Sequence, residues 1–260
     1  TNVDDSAPNT LTFDVAAVND VPVITVAGSS DKTTNEDTSV VVTGLSVADV
    51  DNTSLHEVVL SVTNGTLTVK LDVTSGVTSA AGNGTNSVTL TGPVAAINAT
   101  LADAAGVTFA PTGDFNGSAV VSMAATDLAS GGLTATTSTA VTVTVSPVDD
   151  LPTGADKTLT ATEDTALVVT LADFGYADVD NDAITGVKIT TLESAGDLKL
   201  DGADVTLNQV ITKADIEAGK LTFQGAANAE GSSYATAKFV VQNTNVDDSA
   251  PNTLTFDVAA

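Results

Sequence analysis

Short runs of alternating apolar and polar residues, punctuated by Gly, Asn, Asp and Pro, fill most of the chain. Period two sends successive side chains to opposite faces, so each run predicts a strand with one buried and one wet face. The pattern predicts strands at 23–26, 39–47, 57–62, 66–73, 87–90, 107–111, 119–125 and 134–145. Asn64-Gly65, between the third and fourth of these, is a hairpin signal, and 78–86, rich in Gly, Ser and Asn, reads as a loop. Two segments break the rhythm. Pro93–Ala102 (PVAAINATLA) has helical spacing with Pro at its start. Ile211–Ala218 (ITKADIEA) predicts a second short helix with Thr212 as N-cap. Further strands are predicted at 221–223, 237–241 and 254–258. Together these predict an all-β protein of two tandem antiparallel β-sandwiches, about seven strands apiece, each with one short helix.

The pattern also repeats. Residues 1–17 read TNVDDSAPNTLTFDVAA, and residues 244–260 read the same seventeen letters. A period of two-domain length is the layout of a tandem array, of which this chain reads as a segment. On this reading 1–17 is the terminal strand of a preceding repeat, with Leu11, Phe13 and Val15 on one face. Residues 18–22 (VNDVP) form a linker, 21–148 a first domain, 148–152 (VDDLP) a second linker and 151–260 a second domain. Pro22 and Pro152 favour extended passage into the strand that follows. The domains share turns: NEDT at 35–38 matches TEDT at 162–165, and ADVDN stands at both 48–52 and 177–181.

Charge changes the picture most. There are 33 acidic residues against 8 lysines and no arginine, for a net charge of −25. Such a chain is a poor partner for nucleic acid or nucleotide phosphate, and an anionic membrane surface repels it. No apolar run approaches the ~20 residues of a spanning helix, so no direct membrane insertion is expected. Cys is absent, which excludes disulfides and thiolate metal sites.

In an antiparallel sandwich, turns alternate between the two ends, and this sorts the acids around the linkers. Asn19, Asp20, Asp49, Asp51 and Asp127 gather where the chain enters the first domain. Glu36, Asp37 and Asp114 lie at its far end; Asp149 and Asp150 belong to the linker. Asp178, Asp180 and Asp182, with Asp247 or Asp248, lie at the top of the second domain, and its TEDT turn adds Glu163 and Asp164. A lone Asp in a turn usually serves turn geometry. Here the same turns recur in both domains and face a linker, where like charges would repel unless a cation joined them. Ca²⁺, which takes ~6–8 oxygen ligands, suits such clusters better than Mg²⁺, which keeps its waters.

At these residues the chain resembles the calcium-dependent cadherin-like (Ig-like β-sandwich) repeats of large bacterial RTX-type surface adhesins. The likeness rests on VNDVP and VDDLP, NEDT and TEDT, the two ADVDN turns and PTGDFNGS at 111–118, and it covers the whole chain. It implies a secreted protein at the bacterial cell surface, stiffened by Ca²⁺ at interdomain linkers and partnered by neighbouring repeats of the same chain. The metal ligands it implies fall on the acids named above.

Rival readings are weighed on the same letters. The orphan strand at 1–17 suggests a fibre subunit docking on other copies by strand exchange. A carbohydrate site would lean on aromatics, yet only Tyr176 and Tyr234 offer an amphipathic ring, and the Thr content follows strand propensity more than an ice-binding array. No enzyme is expected. His56 is the sole histidine and reads as a solvated turn residue, and the serines lack a G-x-S-x-G setting.

Overall fold

The computed structural model describes residues 8–27, 31–51, 53–71, 77, 79–128, 132–244 and 250–260. The chain divides into two compact units, Thr1–Val148 and Asp149–Ala260. Unit 1 begins with β1 (Val23–Val26), β2 (Lys32–Asn35), β3 (Val40–Val41), β4 (Leu45–Ala48), β5 (His56–Val62) and β6 (Gly65–Val69). It continues with β7 (Ser79–Ala81), β8 (Ser87–Gly92), α1 (Val94–Ala102), β9 (Val107–Pro111), β10 (Gly117–Asp127) and β11 (Thr134–Ser146). Unit 2 opens with β12 (Lys157–Thr162), β13 (Leu167–Val168), a one-turn 3-10 helix at Leu171–Phe174, β14 (Gly186–Thr191), β15 (Asp197–Leu200) and β16 (Ala203–Asp204). It closes with β17 (Val210–Thr212), α2 (Lys213–Glu217), β18 (Leu221–Gln224), β19 (Gly231–Gln242) and β20 (Asn252–Ala259).

The protein is all-β, and the two units are built on one plan. The larger sheet of unit 1 has the order β2-β11-β10-β5-β8-β7, and that of unit 2 has β12-β20-β19-β14-β17. Facing sheets read β3-β9-β6 and β13-β18-β15-β16. Unit 1 adds the two-stranded pair β1-β4. Ladders are antiparallel except that the early strand runs parallel to the last: β2 with β11, and β12 with β20. Each sandwich therefore places the end of its early strand beside the end of its final one. Both helices sit just before the strand that enters the facing sheet. In α2, Thr212 caps as expected, its hydroxyl accepting the Asp215 N–H at 3.1 Å.

The alternation read from the letters becomes the core. In β10 the inward positions are Ala119, Val121, Met123 and Ala125; in β19 they are Ala235, Ala237, Phe239 and Val241. Unit 1 packs mainly aliphatic side chains around Phe109. Unit 2 carries two aromatic pairs, Phe174 edge-on to Phe239 at 4.9 Å and Phe223 stacked on Phe256 at 3.8 Å. Burial of such faces, at roughly 25 cal/mol per Å² of apolar surface, drives each sandwich together. No helix among the described residues is long and apolar enough to cross a membrane.

Three expectations are corrected. Asn64-Gly65 does not close a hairpin: β5 lies in the larger sheet and β6 in the facing one, so the pair turns the corner between layers. Asn64 takes the left-handed conformation (φ 55°). A Cβ on Gly65 would stand 2.3 Å from the Ala110 carbonyl oxygen, so glycine is needed for close approach to β9. The run 39–47 splits into β3 and β4 because Gly44 sits at φ 87°, and β2 precedes the NEDT turn as an additional strand. The strand expected at 11–15 is absent: residues 8–22 carry no regular element. Asp247, Asp248, and positions 72–73 of the expected fourth strand lie outside the described residues.

Candidate metal centres

The ADVDN turn of unit 1 follows β4 and brings its carboxylates to the linker. The Asp20 N–H donates to Asp51 Oδ2 at 2.7 Å, and the Asp51 N–H donates to Asp49 Oδ1 at 2.9 Å. The other Asp49 oxygen lies 3.0 Å from His56 Nε2, with both side chains fully buried. This corrects the reading of His56 as a solvated turn residue. It opens β5, directly across the ladder from Asp127, which closes β10 and is itself buried. Asn19, which lines a cavity with Asp51, has its side-chain oxygen and nitrogen both buried and without a hydrogen-bond partner.

Unit 2 builds the same relay from the same letters. The Asp150 N–H donates to Asp180 Oδ2 at 2.8 Å, and the Asp180 N–H donates to Asp178 Oδ1 at 3.0 Å. The Asp182 N–H adds a second donor to Asp178 Oδ1 at 3.2 Å. What differs is the backing. Asn243 Nδ2 donates to Asp178 Oδ2 at 3.1 Å. The Tyr176 hydroxyl lies 2.6 Å from the Asp182 carbonyl oxygen and 3.2 Å from Asp178 Oδ2, one proton between two acceptors.

The charges of this cluster act on one another. Burial alone would push Asp178 up, but the bonds from Asn243, the Asp182 and Asp180 N–H groups and Tyr176 outweigh it and hold its carboxyl below the ordinary carboxylate range. Asp182 is pushed up, first by burial and then by the negative charges of Asp178 and Asp149 and a hydrogen bond with Asp149. Burial, then the Asp178 bond and charge and the Asp182 charge, push the Tyr176 hydroxyl to about 12.

The opposite end of each unit carries the shared Glu-Asp turn. In unit 1 it follows β2, beside the end of β11. Buried Glu36 accepts the Val148 N–H on Oε1, and its own N–H donates to the Ser146 carbonyl at 2.9 Å. Asp37 (φ 57°) accepts the N–H of Asp114 (φ 57°) at 3.3 Å. In unit 2 the Glu163 N–H donates to the Ala259 carbonyl at 2.7 Å, and Asp164 (φ 55°) accepts the N–H of Asn228 (φ 52°) at 3.3 Å.

The structure thus brings together Asp20, Asp49 and Asp51; Asp37 and Asp114; and Asp149, Asp150, Asp178, Asp180 and Asp182. Asp247 and Asp248 lie outside the described residues, and the inward place after β19 belongs to Asn243. Sequence reading missed Asn243, Asn228, His56 and Tyr176. Asn243 was within reach, since it continues the buried series Ala237, Phe239, Val241 by one more step of two, as Asp127 continues Met123 and Ala125.

Solved structures similar to the chain are distant. Protocadherin Gamma B2 extracellular cadherin domains 1–5 align at 15% identity and TM-score 0.42, over 94% of this chain and 41% of that one. Human Protocadherin-24 EC1-2 aligns at 14% identity and TM-score 0.36, over 93% of this chain and 99% of that one. The endo-fucoidan hydrolase MfFcnA4, of glycoside hydrolase family 107, aligns in its H294Q form at 15% identity and TM-score 0.28, over 92% of this chain and 29% of that one. No protein-family model and no curated protein matches.

The donor set fits a hard cation. Every candidate ligand atom is an oxygen, from carboxylate, side-chain amide or backbone carbonyl. A carboxylate has about four lone-pair sites, so one that accepts a single N–H keeps capacity for an ion. The unpartnered buried Oδ1 of Asn19 is the oxygen a cation would satisfy in unit 1.

Proposed function

We propose that the chain is a structural extender repeat of a secreted bacterial surface adhesin, a cadherin-like spacer that Ca²⁺ makes rigid at its linkers. The carrying observation is the relay common to both units, from linker Asp to second ADVDN Asp to first: Asp20–Asp51–Asp49 and Asp150–Asp180–Asp178. Two such relays tie linker backbone to acidic turns, so a cation held there would fix the direction in which the linker leaves the sandwich. At the other end of unit 1, Glu36 holds Val148, and Asp149 and Asp150 follow it in the chain.

On this reading Asn19, Asp20, Asp49, Asp51 and Asp127 would hold calcium at the first linker. Glu36, Asp37, Asp114, Asp149, Asp150, Asp178, Asp180 and Asp182 would hold it at the second, and Glu163 and Asp164 would serve a following one. Bound calcium supplies positive charge that offsets carboxylate repulsion; the residues supply orientation. The partners are neighbouring repeats, the location extracellular, and the role mechanical rather than enzymatic.

The test is a calcium titration of the full chain, followed by thermal melting and small-angle scattering, with EDTA and Mg²⁺ as controls. The expected result is a higher melting temperature and a stiffer particle in calcium, with both effects reduced in Asp180→Asn. Identical melting and scattering in calcium and EDTA would return these acids to ordinary turn chemistry.

A further inference from the structure

One stretch of sequence occurs in two states. At 252–259 it forms β20, hydrogen-bonded on one side to β12 and on the other to β19, with Leu254 and Phe256 fully buried and Val258 at 3% exposure. At 9–16 the same letters form no strand, and Leu11, Phe13 and Val15 stand 81%, 81% and 92% exposed. Local preference is the same in both places, so only the available partners differ. Apolar residues at i, i+2 and i+4 make a strand face that needs a cover.

We propose that residues 9–16 are the closing strand of a second unit-2 body belonging to another copy of this sequence. The segment would take β20's place, parallel to β12 and antiparallel to β19. Identity fixes the register: Leu11 falls on Leu254, Phe13 on Phe256 and Val15 on Val258. Phe13 thereby meets Phe223, on which Phe256 stacks at 3.8 Å with planes 11° apart. Two polar contacts check the same register. Asp257 accepts the Ser233 N–H at 2.6 Å, and the Thr253 N–H donates to Asp156 at 2.6 Å; Asp14 and Thr10 carry those groups in the segment. Unit 1 is a poor alternative host, because its last strand buries Val141, Val143 and Val145 where β20 buries Leu254, Phe256 and Val258. This docking does not depend on calcium.

The chain has no cysteine, so two can be introduced cleanly. Thr255 lies opposite Thr236 in the β19–β20 ladder, so a docked Thr12 falls opposite Thr236. In the full chain, Thr12→Cys and Thr236→Cys are combined with Phe256→Ala, which weakens the resident strand. Oxidation is expected to give disulfide-linked dimers and higher species, with a melting temperature that recovers toward wild type as concentration rises. Adding Phe13→Ala should abolish both. A cross-linked monomer would overturn the assignment to another copy, and recovery without cross-linking would overturn the register. Absence of both would overturn the docking.

A second arm does not rely on the weakened variant folding. A peptide of residues 1–17 carrying Thr12→Cys is mixed with denatured Thr236→Cys chain, and the two are refolded together. Peptide and resident strand then compete with the same letters. At about 10 mM, above the millimolar effective concentration typical of a tethered strand, the peptide should form a disulfide with a substantial share of the Thr236→Cys chain. No capture at that excess would also overturn the docking.

Discussion

Phe13 and Phe256 allow a comparison few proteins offer, because the same residue sits in the same seventeen-letter context in two environments. Phe256→Ala removes a fully buried ring and its stacked contact with Phe223. Truncations of this kind cost about 3–5 kcal/mol, the stacking geometry contributing about 1 kcal/mol of that. Phe13→Ala removes a ring that is 81% exposed, so at low micromolar concentration the expected change is within about 0.5 kcal/mol. The chain has no Trp, and both tyrosines, Tyr176 and Tyr234, belong to unit 2. Tyrosine fluorescence therefore follows the melting of that unit alone. At about 4 °C per kcal/mol for a unit of this size, Phe256→Ala should lower its midpoint by roughly 15 °C. Phe13→Ala should leave it in place. Equal shifts for the two variants, or a loss below about 1 kcal/mol for Phe256→Ala, would refute the reasoning.

Three further outcomes follow from the acidic ends. Free calcium at a thousandfold excess over Kd should add about 4 kcal/mol per independently bound ion, and chelation should remove it, read by the same fluorescence melt. The Tyr176 pKa is raised from its ordinary 10.0 to about 12, so its contribution is intact below pH 10 and fades as pH climbs toward 12. In Tyr176→Phe, unit 2 should lose that part of its alkaline sensitivity, as followed by circular dichroism across the same window. His56→Leu removes the imidazole 3.0 Å from the buried Asp49 carboxylate and should destabilise unit 1 by about 2 kcal/mol. The methyl resonance of Met123, the sole methionine and a core residue of unit 1, reports that loss.

Local rules made much of this legible. Period-two alternation located the buried faces of β10, β11 and β20, and Thr212 marked the start of α2, because each depends on residues close in sequence. Recurrence of ADVDN pointed to the two relays for the same reason. Long-range facts were not legible. Nothing local to Asn64-Gly65 says that β6 pairs with β9 instead of β5; the close approach to Ala110 that glycine permits there is visible only across the fold. His56 looked like a turn residue because its polar letter was read alone. Its burial comes from standing opposite Asp127 and within reach of Asp49, neither adjacent to it in the chain. Asn228 was missed because in unit 2 an amide holds the left-handed turn position that a carboxylate, Asp114, holds in unit 1.

The parallel pairing of early and last strands has a mechanical consequence. In unit 2, β12 and β20 are neighbours over six register pairs, from Lys157↔Leu254 to Thr162↔Ala259. A tension that pulls the two ends of the unit apart drags these strands past one another lengthwise, so their hydrogen bonds share the load and must fail nearly together. A hairpin of the first and last strands would peel open one bond at a time. Unit 1 has the same arrangement with four pairs, between β2 and β11. When both units bear the same load the shorter clamp yields first, leaving unit 1 as the extensible element and unit 2 as the one that holds.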